Sequence, residues 1–163
     1  MSYLFHRSPR PPSSVAMNNE TNPDFGLISG GLRLVVVGPE WASRFITERD
    51  QLSAALGAAA IDIQHIGSTA VAGILAKPIL DIAAAIETFD GGHSLVPHII
   101  MLGYDYRGEC GIPRRHYFVR GEPLRTHHLH VLEHRSAQWA AHLRFRATSW
   151  RRTSLMLGRP YGP

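Results

Sequence analysis

Apolar and polar positions change their period several times along this chain, and the changes mark its elements. Residues 61–66 alternate: Ile61, Ile63 and His65 point one way, and Asp62, Gln64 and Ile66 the other, which predicts a strand. Residues 78–84 are almost continuously apolar, as expected of a central strand covered on both faces. Residues 115–120 and 126–132 predict two more strands, and residues 32–37 a short β-branched one. Over residues 39–56 the apolar positions Trp41, Phe45, Ile46, Leu52 and Leu56 fall near helical spacing, and Gly57 supplies a stop. Residues 94–102 predict a second helix ended by Gly103. Tyr104 and Tyr106 open a hairpin-like region, and residues 136–145 predict a third helix with Ser136 as its cap. Residues 1–30 carry Pro9, Pro11, Pro12 and Pro23 without periodicity, and predict a disordered extension. The expected organisation is one domain over residues 31–150, followed by an irregular tail over 151–163.

Composition narrows the function classes. A chain of 163 residues is long enough for one real core. The formal charge of +4 is a mild excess without a concentrated basic face, so nucleic acid is not an expected partner. The single Cys110 excludes an internal disulfide and fits a reducing compartment. No apolar run approaches the roughly 18 residues of a membrane span, and no apolar region follows the basic N-terminus. A cytoplasmic location is expected.

The candidate chemistry gathers between residues 62 and 82 and returns near residue 128. Gly67-Ser68-Thr69 follows a strand, and free N–H groups in such a turn can hold phosphate oxygens; the same triplet also serves as a plain tight turn. Asp81 is a lone carboxylate in an apolar strand, which requires a partner: a metal, an arginine or Lys77, the only lysine in the chain. His128 and His130 share one face of their strand and can contact a metal or a phosphate, or form a solvated face. Arg114, Arg115 and Arg120 flank Tyr117-Phe118, a pattern that suits phosphate and base contacts or an ordinary strand with solvated arginines. His65, His116, His134 and Glu133 read as structural or surface residues.

These blocks, Ile63 through Ile82, Gly103-Tyr104-Asp105-Tyr106, Thr126 through Val131, and Trp139 with His142-Leu143-Arg144-Phe145-Arg146, resemble the GrpB-like family. That family belongs to the polymerase-beta type nucleotidyltransferase superfamily and also occurs appended to some dephospho-CoA kinases. The resemblance runs from about Leu34 to Arg146. It implies an α+β, nucleotidyltransferase-like domain with a mixed β-sheet flanked by helices. It also implies that Gly67 and Ser68 form the turn that binds a nucleoside triphosphate, and that Asp81 is the first acid of an Asp-x-Asp pair. Ala83 stands in the second acid's place, and the third acid's strand corresponds to the one bearing His128 and His130. Ala72 replaces a usual proline, and the sequence after Arg146 departs from the family in a way that reads as truncation or a frameshift.

Two bridged metals need several carboxylates to offset their charge. One aspartate with two histidines suits a single softer ion, such as zinc or manganese, better than a magnesium pair. The expected function is transfer of a nucleoside monophosphate to an unknown acceptor, with a nucleoside triphosphate and a divalent metal (magnesium, manganese or zinc) as cofactors. Gly67, Ser68 and Thr69 are expected to hold phosphates, and Asp81, His128 and His130 the metal. Asp81 and Lys77 are the expected catalytic residues, with Lys77 and Arg115 neutralising developing charge. The alternative is a non-catalytic nucleotide- or CoA-binding accessory domain.

Overall fold

The computed structural model describes residues 25–144. Residues 1–24 of the extension expected over 1–30, the last residue of the third helix and the tail from 151 lie outside the described residues. The fold is α+β, built on one five-stranded mixed sheet flanked by helices. Its strands are β3 (Asp62–Ile66), β5 (Leu80–Ile86), β6 (Asp105–Tyr106), β7 (Arg115–Arg120) and β9 (His127–Glu133), in the order β3-β5-β9-β7-β6. Only the central β5–β9 pair is parallel. Two ribbons with strands of two residues each stand beside the sheet: β1 (Leu27–Ile28) pairs with β8 (Leu124–Arg125), and β2 (Val35–Val36) with β4 (Leu75–Ala76).

Strand parity divides the sheet into two faces. One packs under α1 (Glu40–Leu56) and α2 (Val96–Met101). Trp41, Leu52 and Leu56 of α1 and Ile99 of α2 meet Ile63, Leu80, Ile82, Ala84, Phe118, Leu129 and Val131 in the main core. The other face carries Asp81, Ala83 and Ala85 of β5 beside His128, His130 and Leu132 of β9. Residues 137–144 form a helix, here α3, with Trp139 clustered against Ala83, Ala85, Ile66 and Leu132. The small alanines leave room for the indole. Ser136 caps α3 as expected, its Oγ accepting the Trp139 N–H at 3.1 Å.

The structure differs from the sequence reading in three ways. Leu27–Ile28 is a paired strand at the end of the segment expected to be disordered. The strand expected over 32–37 shrinks to Val35–Val36 because its partner β4 is equally short. On α1, Ile46 is exposed, and the inward slot belongs to Glu48. No helix among the described residues is long and apolar enough to cross a membrane.

Candidate functional site

The site forms where the ends of β3, β5 and β9 meet. In the ladder, Asp81 lies opposite His128 on one side and Ile66 on the other. One residue past Ile66 the chain turns at Gly67, with φ +69° and ψ −171°. Residues with side chains rarely adopt that conformation. A Cβ placed on Gly67 would stand 2.7 Å from Asp81 Oδ2 and 2.9 Å from Asp81 Cβ. The turn therefore lies directly against the carboxylate. Ser68–Ala70 then make one 3-10 turn, closed by Ala70 N–H to Gly67 O and Val71 N–H to Ser68 O. The Ser68 and Thr69 N–H groups at its start have no partner within the turn.

Gly67→Ala is expected to lower the unfolding free energy by about 1–3 kcal/mol, because it combines backbone strain with a clash against Asp81. Urea denaturation measures this. A loss of only a few tenths of a kcal/mol would mean that turn and carboxylate are not in contact.

Asp81 is partnered by His128, whose Nδ1 lies 2.9 Å from Asp81 Oδ1. The Nε2 atom of His128 is shut off from solvent and has no hydrogen-bond partner. His130, two residues on, faces a different neighbour: Arg115 Nη1 lies 3.2 Å from His130 Nδ1. Tyr117 sits between them, with ring centroids 5.7 Å from His128 and 5.1 Å from His130. His142 of α3 stands edge-on to His130 at 4.8 Å, and its own Nε2 is buried without a partner. Burial, then the charges of His142, Arg115 and His128, push the His130 pKa down to about 3, so the ring is neutral.

The expected site residues separate in the structure. Gly67, with Ser68 next to it, Asp81 and His128 come together where β3, β5 and β9 meet, and His130 stands two residues further along the same face, against Arg115 and His142. Thr69 does not share their open side. It is buried, and its hydroxyl donates to Ile79 O and contacts His65 Nε2, so it holds the turn to the core. Lys77 is exposed, and the side-chain partner of Asp81 is His128 instead. Arg115 is buried and committed: it donates to Glu109 O and Cys110 O as well as His130, and stacks over Tyr117 at 4.5 Å. Arg120 and Phe118 lie on the opposite face of the sheet, because alternate residues of β7 point apart. Among the described residues no group of three or more His, Cys, Asp or Glu is arranged to hold a metal ion.

His142 entered the sequence reading only as part of a family block. Its signal was its spacing: it follows Trp139 by three residues and so shares the sheet-facing side of α3.

Comparison with known proteins bears on the family and the fold. The sequence pattern of the GrpB family, described as GrpB protein, matches residues 32–150. UPF0157 protein YqkA of Bacillus subtilis is 33% identical over 115 residues, which are 71% of this chain and 34% of that protein. The chain thus spans about a third of that relative's length. A dephospho-CoA kinase of Mycobacterium bovis is 36% identical over 75 residues, covering 44% of this chain and 18% of the kinase. The crystal structure of the conserved protein GrpB from Enterococcus faecalis superposes with a TM-score of 0.71 at 31% identity, over 75% of this chain and 74% of that one. The Cid1 poly(U) polymerase bound to MgATP shares the fold, with a TM-score of 0.52 at 10% identity over 74% of this chain and 39% of the polymerase. A match across most of the described domain, carrying the Gly67 turn, Asp81 and the His128 strand in one register, makes this chain a member of the GrpB family.

Proposed function

We propose that this domain binds a nucleoside triphosphate at the Gly67–Ser68 turn and transfers the nucleoside monophosphate to an acceptor. One observation carries the reading: the Gly67 turn packs onto Asp81 while Asp81 pairs across the ladder with His128. A phosphate-sized turn, an acid and an imidazole thereby converge where three strand ends meet. The fold shared with a polymerase bound to MgATP supports the same reading.

A two-metal centre does not fit these residues. Asp81 is one carboxylate, and its Oδ1 is held by His128. The second acid's position is Ala83, which is fully buried. His130 turns its Nδ1 to a permanent cation, Arg115. One negative charge is too little to offset two divalent ions. A magnesium ion that travels with a triphosphate takes most of its ligands from phosphate oxygens and water, and needs few from the protein. The chain's own residues hold the phosphates on backbone N–H groups and orient His128 through Asp81.

The test is pyrophosphate release from each nucleoside triphosphate, alongside a thermal-shift measurement, on wild type and Asp81→Asn. Pyrophosphate release by wild type, falling at least ~100-fold in a folded Asp81→Asn variant, is the expected result. Turnover that survives the substitution would overturn the proposal. The bare alanine at position 83 favours one rival, a nucleotide- or CoA-binding accessory domain. It predicts a nucleotide- or CoA-dependent thermal shift with no pyrophosphate from any sample.

A further inference from the structure

Two histidines on one face of one strand look equivalent, but their partners make them opposites. An ionised carboxylate only accepts hydrogen bonds, so the contact at 2.9 Å to Asp81 Oδ1 puts a proton on His128 Nδ1. A guanidinium only donates, so the contact at 3.2 Å from Arg115 Nη1 leaves His130 Nδ1 bare. A neutral imidazole carries one N–H. In its neutral form His128 therefore presents a lone pair at Nε2, whereas His130 presents an N–H at Nε2. Both anchors are well held. Asp81 is pinned by the ladder and by the close approach of Gly67. Arg115 is 6% exposed and tied to the carbonyls of Glu109 and Cys110.

Resting on the nucleotidyl-transfer reading above, we infer that His128 and His130 divide the work of the site: His128 Nε2 accepts the proton of the attacking hydroxyl, and His130 Nε2–H binds a phosphate oxygen of the nucleotide. The lone pair of His128 is buried and unpartnered, which costs free energy unless a donor arrives. An acceptor hydroxyl is such a donor. His130 has no lone pair left for a metal, since its bare nitrogen faces Arg115 and its other nitrogen is protonated. In the step itself, the hydroxyl proton moves to His128 Nε2. The oxygen forms a new bond to the α-phosphorus. The bond from that phosphorus to the bridging oxygen breaks, and pyrophosphate leaves with the electron pair. The imidazolium then returns its proton to water. Asp81 and Arg115 act as positioning residues that select the two tautomers.

Long-range proton–nitrogen NMR on the full chain with 15N-labelled histidine reads both tautomers directly, before any turnover. The expected spectrum shows His128 protonated at Nδ1 and His130 at Nε2. Adding inorganic tripolyphosphate is expected to shift His130 Nε2. His130→Ala is expected to weaken tripolyphosphate binding about 10-fold, the size of one charge-assisted hydrogen bond. His130→Gln, which keeps an N–H donor, is expected to restore most of it, and manganese affinity is expected to be the same in all three proteins. His130 protonated at Nδ1, or loss of manganese binding in His130→Ala, would overturn the division of labour. The observed tautomers and tripolyphosphate binding without pyrophosphate release from any nucleotide would sustain the donor role of His130. The same result would remove the nucleotidyl-transfer reading and, with it, the proton transfer to His128.

Discussion

Replacing Glu48 with alanine is expected to lower the unfolding free energy by about 3–5 kcal/mol, the cost of leaving a buried ion without its partner. Glu48 lies on the inward stripe of α1 and is 3% exposed. Its carboxylate accepts the Tyr104 hydroxyl at 2.8 Å and two guanidinium nitrogens of Arg120, at 2.9 and 2.5 Å. Arg120 in turn covers the Tyr104 ring at 4.8 Å and donates to Leu102 O. Burial, and then the Glu48 charge, hold the Tyr104 hydroxyl protonated well above its usual range, so it stays a donor. Alanine at position 48 would leave the half-buried guanidinium without its counter-charge, with Leu102 O and the neutral His127 ring as its remaining partners. The pair as a whole is a different matter, because two desolvated charges roughly cancel their own attraction. Glu48→Leu combined with Arg120→Met is therefore expected to fall much closer to wild type than Glu48→Ala. Urea midpoints at constant slope measure both. A cost below about 1 kcal/mol for Glu48→Ala would show that the network is not closed from water.

Acidification is expected to produce the second large effect. His127 is buried on the Glu48 side of the sheet, and its pKa is pushed down to about 2 by burial first and then by Arg120, Arg44 and His128. One contact argues the other way: Glu48 Oε2 lies 3.5 Å from His127 Nε2, which favours the charged ring. Arg120 is nearer, at 2.8 Å, and occupies that nitrogen as a donor. The proton has no place to sit, and the neutral form wins. Folded His127 and His130 therefore resist protonation down to about pH 2 and 3, whereas the unfolded chain takes up these protons near its ordinary value of about 6.5. Between those limits the unfolded state binds more protons, so stability rises with pH. The contribution is complete above about pH 7 and is lost as the pH falls from 6.5. The loss relative to the plateau amounts to about 2 kcal/mol at pH 5 from His127 alone. His130, and His116, whose pKa burial also lowers, act in the same direction. Urea titrations from pH 8 to 5 should show a plateau and then a steep decline, and His127→Gln should make the decline shallower. A flat profile down to pH 5 would mean that these rings are solvated.

β3, β7 and β9 were legible because a strand pattern shows even in segments of five to seven residues, and β5 was legible from its continuous apolar run. Residues 115–120 coincide with β7, and 61–66 and 126–132 fall within a residue of β3 and β9. The paired ribbons β1–β8 and β2–β4 were not legible, since two residues carry no period. Glu48 was passed over on α1 because a carboxylate on an apolar stripe has no local justification. Its justification is Arg120, which lies 72 residues away. The arginines of β7 show the same limit. Parity sends Arg115 and Arg120 to opposite faces, but only the packed loop carbonyls and Glu48 decide that neither is left for solvent.

By itself the sequence determined the period of each element, the turn at Gly67, the single acid at Asp81 and the shared face of His128 and His130. Those follow from local sterics and from strand geometry, which depend on neighbours in the chain. The tertiary structure decided which atoms of those residues remain available. The parallel register of β5 and β9 sets Asp81 against His128, and the 109–110 loop brings its carbonyls to Arg115 and thereby Arg115 to His130. A hydrogen-bond partner selects a tautomer, and partners come from register and packing between distant segments. Two identical side chains two residues apart thus acquire opposite chemistry.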